Sequence, residues 1–283
     1  MLFDTHCHLN FNAYKDDSLE IAQSSLDRGV WVINVGSQAT TSERAVEIAN
    51  KFEKGIYAAV GLHPSHLFAM EVEEEEAQFE TRGEQFDYDF YKTLAENEKT
   101  VAIGETGLDY NYVPKNISLD EVRTRQTECF RAHLDLADET NLPVIVHSRD
   151  TYDELYKILK EFIDAGRLER RAVIHCYLGD WERAQKFLDI GCMISFTGVI
   201  TFPPKKSQID QGRAILETIE KVPLESVMIE TDAPFLSPVP YRGERNLPWR
   251  VEEVAKKIAE VKNISFEEVA EITTKNARLF FGV

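Results

Sequence analysis

Short apolar, β-rich runs recur along the chain at Met1 to Asp4, Val30 to Val35, Ile56 to Val60, Val101 to Ile103, Val144 to Val146, Val173 to Ile174, Met193 to Phe196 and Val227 to Ile229. Stretches with helical spacing lie between them, among them Glu20 to Asp27, Ser42 to Phe52, Val122 to Glu139 and Tyr152 to Ile163. Ser118 with Glu121, and Thr151 with Glu154, have the spacing of capping boxes. Alternation of strand and helix predicts parallel strands joined by helical crossovers. Several runs are apolar throughout, as strands covered on both faces are, which favours a barrel wrapped by helices. The expected fold class is therefore α/β, a (β/α)8 TIM barrel, with an additional C-terminal helix from Ser265 to Phe280 opened by Ser265 and Glu268. No linker rich in Pro, Gly or Ser divides the chain, so residues 1–283 are expected to form a single domain.

Composition bounds the reading. A content of 43% hydrophobic and 29% charged residues is that of a globular protein with a sizeable core. No apolar run approaches the roughly 20 residues of a bilayer span, and the start lacks the basic-then-apolar order of a signal peptide. The expectation is a cytoplasmic protein with no membrane contact. Cys7, Cys129, Cys176 and Cys192 have no CxxC spacing, so reduced thiols are expected. The net charge of −17 argues against broad nucleic-acid affinity, although a local basic rim around a metal-neutralised pocket can coexist with an acidic body. Between Glu71 and Phe90 nine acids face Arg82 alone, so this stretch carries −8 of the total. It reads as a solvated loop or helix face after the third strand, or as a lid or steering element on the active rim.

In a barrel of this kind the strand C-termini form the active face, and polar residues there are the candidate chemistry. His6 and His8 follow the first run, Glu105 the fourth, His147 the fifth, His175 the sixth and Asp232 the eighth. On a strand His6 and His8 project to the same side, as a chelating pair must. Each histidine alone reads as structural, but their common placement on separate strands predicts a metal centre with His6, His8, Glu105, His147, His175 and Asp232 as ligands. Imidazole suits zinc, while carboxylate oxygen suits magnesium or manganese and can bridge two ions, so one or two divalent ions (Mg, Mn or Zn) are expected. Glu105 is the natural bridge. A divalent ion activates water near neutral pH, and Asp232 would orient that nucleophile or take its proton. His63, in Gly61-Leu62-His63-Pro64, fits a donor to a substrate oxyanion or phosphate. His66 reads as a surface residue and His133 as a structural one within a helix.

Taken in order, Phe3-Asp4-Thr5-His6-Cys7-His8, Val60-Gly61-Leu62-His63-Pro64, Ala102-Ile103-Gly104-Glu105-Thr106-Gly107-Leu108-Asp109-Tyr110, Pro143-Val144-Ile145-Val146-His147-Ser148-Arg149, Glu230-Thr231-Asp232-Ala233-Pro234 and Asn276-Ala277-Arg278-Leu279-Phe280 form a specific set. Across nearly the whole chain it resembles the TatD-type metal-dependent deoxyribonucleases of the amidohydrolase superfamily. The resemblance implies a (β/α)8 hydrolase with one or two divalent ions that cleaves phosphodiesters of nucleic acid, often trimming single strands from the 3′ end. It also implies the six ligands named above. Two features depart from the family: the acidic segment after the third strand is longer, and Glu244 stands where the family commonly has lysine.

A nuclease needs groups that hold backbone and bases. His63, Arg149 and Arg242 are the expected substrate contacts, with Lys205, Lys206 and Arg245 as further loop cations and Tyr110, Phe202, Phe235 or Trp249 as stacking surfaces. The expected partner is DNA as substrate, as single-stranded ends, and no obligate protein partner is inferred. A competing reading is an amidohydrolase acting on a small lactone, cyclic amide or phosphate ester, since the same activated water attacks carbonyl carbon. A non-catalytic metal-binding barrel is a third.

Overall fold

The computed structural model of the protein describes residues 1–73, 78–203 and 209–283. Eight strands form one parallel sheet: β1 (Leu2–Cys7), β2 (Val30–Val35), β3 (Ile56–Val60), β6 (Thr100–Asp109), β7 (Val144–Arg149), β8 (Ala172–Ile174), β9 (Met193–Phe196) and β10 (Val227–Ile229), neighbours in that order. His6 O accepts from Asp232 N at 2.8 Å and His8 N donates to Ala233 O at 2.7 Å, drawing the first strand and the segment after the last together into a nearly closed barrel. A two-stranded antiparallel sheet, β4 (Ala69–Glu73) with β5 (Gln78–Arg82), is inserted after β3.

Helices α1 (Ser18–Asp27), α2 (Ala39–Ala49), α3 (Tyr88–Ala95), α4 (Leu119–Thr140), α5 (Tyr152–Asp164), α6 (Trp181–Asp189), α7 (Ile209–Lys221) and α8 (Val251–Lys262) wrap the barrel, and α9 (Phe266–Phe281) is the additional C-terminal helix. Their apolar stripes explain the wrapping: α5 buries Leu155, Ile158, Leu159 and Phe162, spaced for one helical face. Ser118 and Ser265 cap α4 and α9 by accepting from Glu121 N and Glu268 N. The expected box at Thr151 does not form, because the Thr151 hydroxyl donates instead to Leu108 O at 3.0 Å, tying α5 to β6.

Phe3, Ile33, Tyr57, Val101, Ile145, Val173 and Met228 pack together inside the barrel. Phe281 of α9 joins them, its ring 6.4 Å from that of Phe3, and seals the end where the strands begin. The opposite end is left for polar residues.

Two register shifts aim residues into that end. Asp4 pairs with Val32 but Cys7 with Asn34, so β1 uses one residue more than β2 between these pairs. The extra residue reverses the alternation: Phe3 and His6 both face inward, while Cys7 joins the outer core. β6 has the same kind of shift between Ile103 and Thr106, on either side of Glu105.

The acidic stretch is neither plain loop nor helix face: it contains the β4–β5 hairpin. Glu84 accepts from Ala39 N at 3.0 Å at the start of α2, and Asp87 caps α3 through Phe90 N at 3.1 Å. Glu74, Glu75 and Glu76 lie outside the described residues, as do Lys205 and Lys206. Among the described residues no helix is long and apolar enough to cross a membrane.

Candidate metal centre

Six side chains meet at the open end of the barrel, carried by β1, β6, β7 and β8 or the residues just after them and by the segment after β10. His6 Nε2 lies 3.2 Å from His8 Nε2, and Asp232 Oδ1 lies 3.2 Å from His8 Nε2 and 3.8 Å from His6 Nε2. Glu105 spans the space between the histidines: Oε2 is 3.5 Å from His6 Nε2, and Oε1 is 2.8 Å from His147 Nδ1, 3.6 Å from His175 Nε2 and 3.7 Å from His63 Nε2. The His6 and His175 rings stack with centroids 3.7 Å apart. His6, His8, Glu105 and His175 are buried, whereas the Asp232 side chain retains 17% exposure and so faces the mouth.

Local backbone explains the placement of Glu105. At Gly104 (φ +149) a Cβ would lie 2.7 Å from Ile145 O, and at Gly107 (φ +152) it would lie 2.1 Å from His147 O. Only glycine lets β6 run this close to β7 on either side of the carboxylate. Asp232 adopts φ 57, a left-handed conformation that aspartate tolerates better than most residues.

The electrostatics fit a cation. Burial alone would raise Glu105, yet His63, His175 and His6, with the His147 hydrogen bond, hold its carboxyl well below the usual range. Asp232 is likewise lowered despite burial, through His8, His175 and His6. Burial and the neighbouring His175 lower His6. Ionised carboxylates and close-set imidazole nitrogens in a dry pocket are the donor set a divalent ion neutralises. His6, His8 and Asp232 form one group, and Glu105, His147 and His175 another, with donor atoms within 4.8 Å of each other. The residues fit one or two ions, with Glu105 between the two groups.

His63 stands at the rim with its ring 4.2 Å from that of His147. Ser65 N donates to His63 Nδ1 at 3.2 Å, so the imidazole proton sits on Nε2, the nitrogen that faces Glu105. Burial, then His147, keeps this ring well below its ordinary pKa and hence neutral.

Arg149 stands 3.6 Å (Nε) from Asp109 Oδ2, with its guanidinium over the Tyr112 ring. Arg242 lies 3.7 Å from the centre of the Phe202 ring and donates to Ser237 O at 3.3 Å. Arg149 is the last residue of β7, and Arg242 lies in the segment after β10, three strands further along the sheet. Other candidates are placed differently. Arg245 is paired with Asp17 at 2.6 Å, and Trp249 lies under Arg28, where the chain enters β2. Arg245 also donates to Ala13 O at 2.8 Å, so its guanidinium is tied to the segment between β1 and α1. Glu244 is paired with Arg250 at 2.5 Å. Tyr110 packs under Arg123, and the Phe235 ring is 6.4 Å from that of His8. His66 is buried rather than on the surface, and His133 is buried in α4, accepting from Leu62 N at 2.9 Å.

Two buried acids escaped the sequence reading of the site. Asp109 Oδ2 lies 3.2 Å from His147 Nε2, and Glu230 Oε1 lies 2.8 Å from His175 Nδ1. Asp109 shares β6 with Glu105 four residues away, whereas Glu230 and Asp232 lie beyond the end of β10, where strand alternation gives no guide.

Residues 3–282 match the TatD related DNase family. The chain is 38% identical over 286 residues to an uncharacterized metal-dependent hydrolase, YabD, of Bacillus subtilis, covering 100% of both chains. It is 34% identical to an uncharacterized metal-dependent hydrolase, YcfH, of Escherichia coli, covering 99% of this chain and 95% of that one. Among solved structures, the TatD homologue YJJV of Escherichia coli superposes with a TM-score of 0.80 at 29% identity, over 100% of this chain and 98% of that one.

Proposed function

The chain belongs to the TatD related DNase family of metal-dependent hydrolases, and from that footing we propose that it removes nucleotides from the 3′ ends of single-stranded DNA. The observation that carries the reading is the position of Glu105, within 4 Å of His6 on one side and of His147 and His175 on the other. We assign His6, His8, Glu105, His147, His175 and Asp232 as the ligands. A divalent cation held there supplies electrophilic polarisation of a phosphoryl oxygen and a water ionised near neutral pH.

The protein side chains do the rest. Asp232, the partly exposed carboxylate, orients the attacking water and receives its proton at Oδ2. His63 donates from Nε2–H to a non-bridging phosphate oxygen, and its neutral state lets it do so without competing with the cation for Glu105. Arg149 on Tyr112, at the end of β7, and Arg242 on Phe202, after β10, each pair a phosphate-binding cation with an aromatic face. A single strand crossing the opening meets both. Because the whole chain carries −17, attraction is confined to this rim, which suits a short end better than a long duplex.

Short single strands labelled at the 5′ or 3′ end, incubated with Mg²⁺ or Mn²⁺, test the reading. A ladder shortening from the 3′ end supports it. Intact strands together with turnover of a small lactone, cyclic amide or phosphate ester would instead support the amidohydrolase alternative.

A further inference from the structure

His147 and His175 each present one ring nitrogen to Glu105 and the other to a second buried carboxylate. For His147 the pair is Nδ1 at 2.8 Å from Glu105 and Nε2 at 3.2 Å from Asp109. For His175 it is Nε2 at 3.6 Å from Glu105 and Nδ1 at 2.8 Å from Glu230. Both outer acids are almost fully buried, at 2% and 1% exposure, and each is anchored from behind. Asp109 Oδ1 accepts from Asn111 N at 2.9 Å, and Glu230 Oε1 accepts from Cys176 N at 2.7 Å while Oε2 lies 3.5 Å from the Thr5 hydroxyl. At the other end of the site His8 Nδ1 rests on a backbone carbonyl, Val35 O at 2.8 Å, rather than on a carboxylate.

We propose that Asp109 and Glu230 are positioning residues, which hold the outer nitrogens of His147 and His175 and so turn their inner nitrogens, unprotonated, toward a cation beside Glu105. A carboxylate behind a ligating imidazole fixes its tautomer and strengthens it as a donor, and its removal weakens metal binding by roughly 10- to 100-fold. The proposal rests on the ligand assignment above. Glu230 is the cleaner probe, because a glutamine can replace it in full: its oxygen can take both the Cys176 N–H and the His175 proton, and its amide can donate to the Thr5 hydroxyl. Asparagine at 109 has one acceptor for two sites, since both carboxylate oxygens of Asp109 face donors.

Mn²⁺ titrated calorimetrically into chelator-stripped protein tests this, with urea unfolding of each variant as the check on folding. Glu230→Leu is expected to weaken Mn²⁺ binding roughly 10- to 100-fold, Glu230→Gln less than about fivefold, and Asp109→Asn by an amount between the two. Equal Mn²⁺ affinity in all variants would overturn the positioning role while leaving the ligand assignment standing. A Glu230→Gln loss as deep as that of Glu230→Leu would also overturn it, because a direct carboxylate ligand has no amide substitute. Absence of Mn²⁺ binding in the unaltered protein would overturn both readings.

Discussion

Glu105 and His6 meet across the barrel mouth, with the carboxylate Oε2 3.5 Å from the imidazole Nε2, while the same residue's other oxygen serves His147. The two Glu105 oxygens together lie within 4 Å of His6, His147 and His175. Glu105→Gln keeps the shape but removes the charge that balances a cation on each side. Loss of several kcal/mol of transition-state stabilisation corresponds to roughly a thousandfold fall in kcat/KM. Steady-state hydrolysis of a labelled oligonucleotide with Mn²⁺ measures it, and a fall of under tenfold would remove Glu105 from the centre.

Gly107→Ala tests whether the close strand approach sets the site. The added Cβ would meet His147 O at 2.1 Å in a backbone with φ +152, so β6 and β7 must separate. Strain plus overpacking predicts a loss of about 3 kcal/mol in urea unfolding. His147 moves with its strand, so Mn²⁺ affinity should fall as well. Wild-type stability in this variant would show that the contact is soft.

The strand positions were legible because parallel barrel strands are buried on both faces and read as unbroken apolar runs. All eight runs fall on strands, but β1 and β7 continue three residues beyond the runs expected there, and the fourth, expected over Val101 to Ile103, is a strand from Thr100 to Asp109. Its second half reads as a turn, with Gly104, Gly107 and three polar side chains, until the close approach to β7 is known. The inward phase of His6 depends on a register shift that no single-strand pattern contains. Asp109 and Glu230 were hidden for another reason: an acid two or four residues from a ligand looks like its solvated neighbour, and only burial identifies it as a partner. The acidic hairpin does carry an alternation, with Met70 and Val72 on either side of Glu71 and paired to Thr81 and Phe79, but so few apolar positions do not stand out from a run of acids.

Arg149→Ala and Arg242→Ala address the rim. Each removes one cation from a site otherwise surrounded by acids, so KM for a single-stranded oligonucleotide should rise while turnover at saturation changes little. If each arginine contacts one phosphate, the slope of log affinity against log salt flattens by about 0.7 per substitution. An unchanged slope in both variants would move the strand path elsewhere. Turnover of a small uncharged ester, if any, should be indifferent to both changes.

His133 gives the fold a defined response to acid. Buried in α4, it accepts from Leu62 N at 2.9 Å through Nε2, while Nδ1 lies 2.8 Å from Cys129 O, an arrangement that needs the neutral ring with its proton on Nδ1. Burial, only partly opposed by Cys129 O, pushes its pKa from 6.5 down to about 4. The unfolded chain therefore takes up this proton below about pH 6.5, and the folded chain does so only near pH 4. Since the unfolded state binds more protons in that window, stability is complete above it and falls as pH drops, by up to about 1.4 kcal/mol per pH unit. His133→Gln removes the titration and keeps an acceptor for Leu62 N. The stability difference between wild type and variant, from urea unfolding, should accordingly shift against the wild type by about 2 kcal/mol between pH 7 and pH 5. A difference that stays constant over those two units would mean that His133 takes up its proton in the fold as readily as in the unfolded chain, and that Leu62 N has another acceptor.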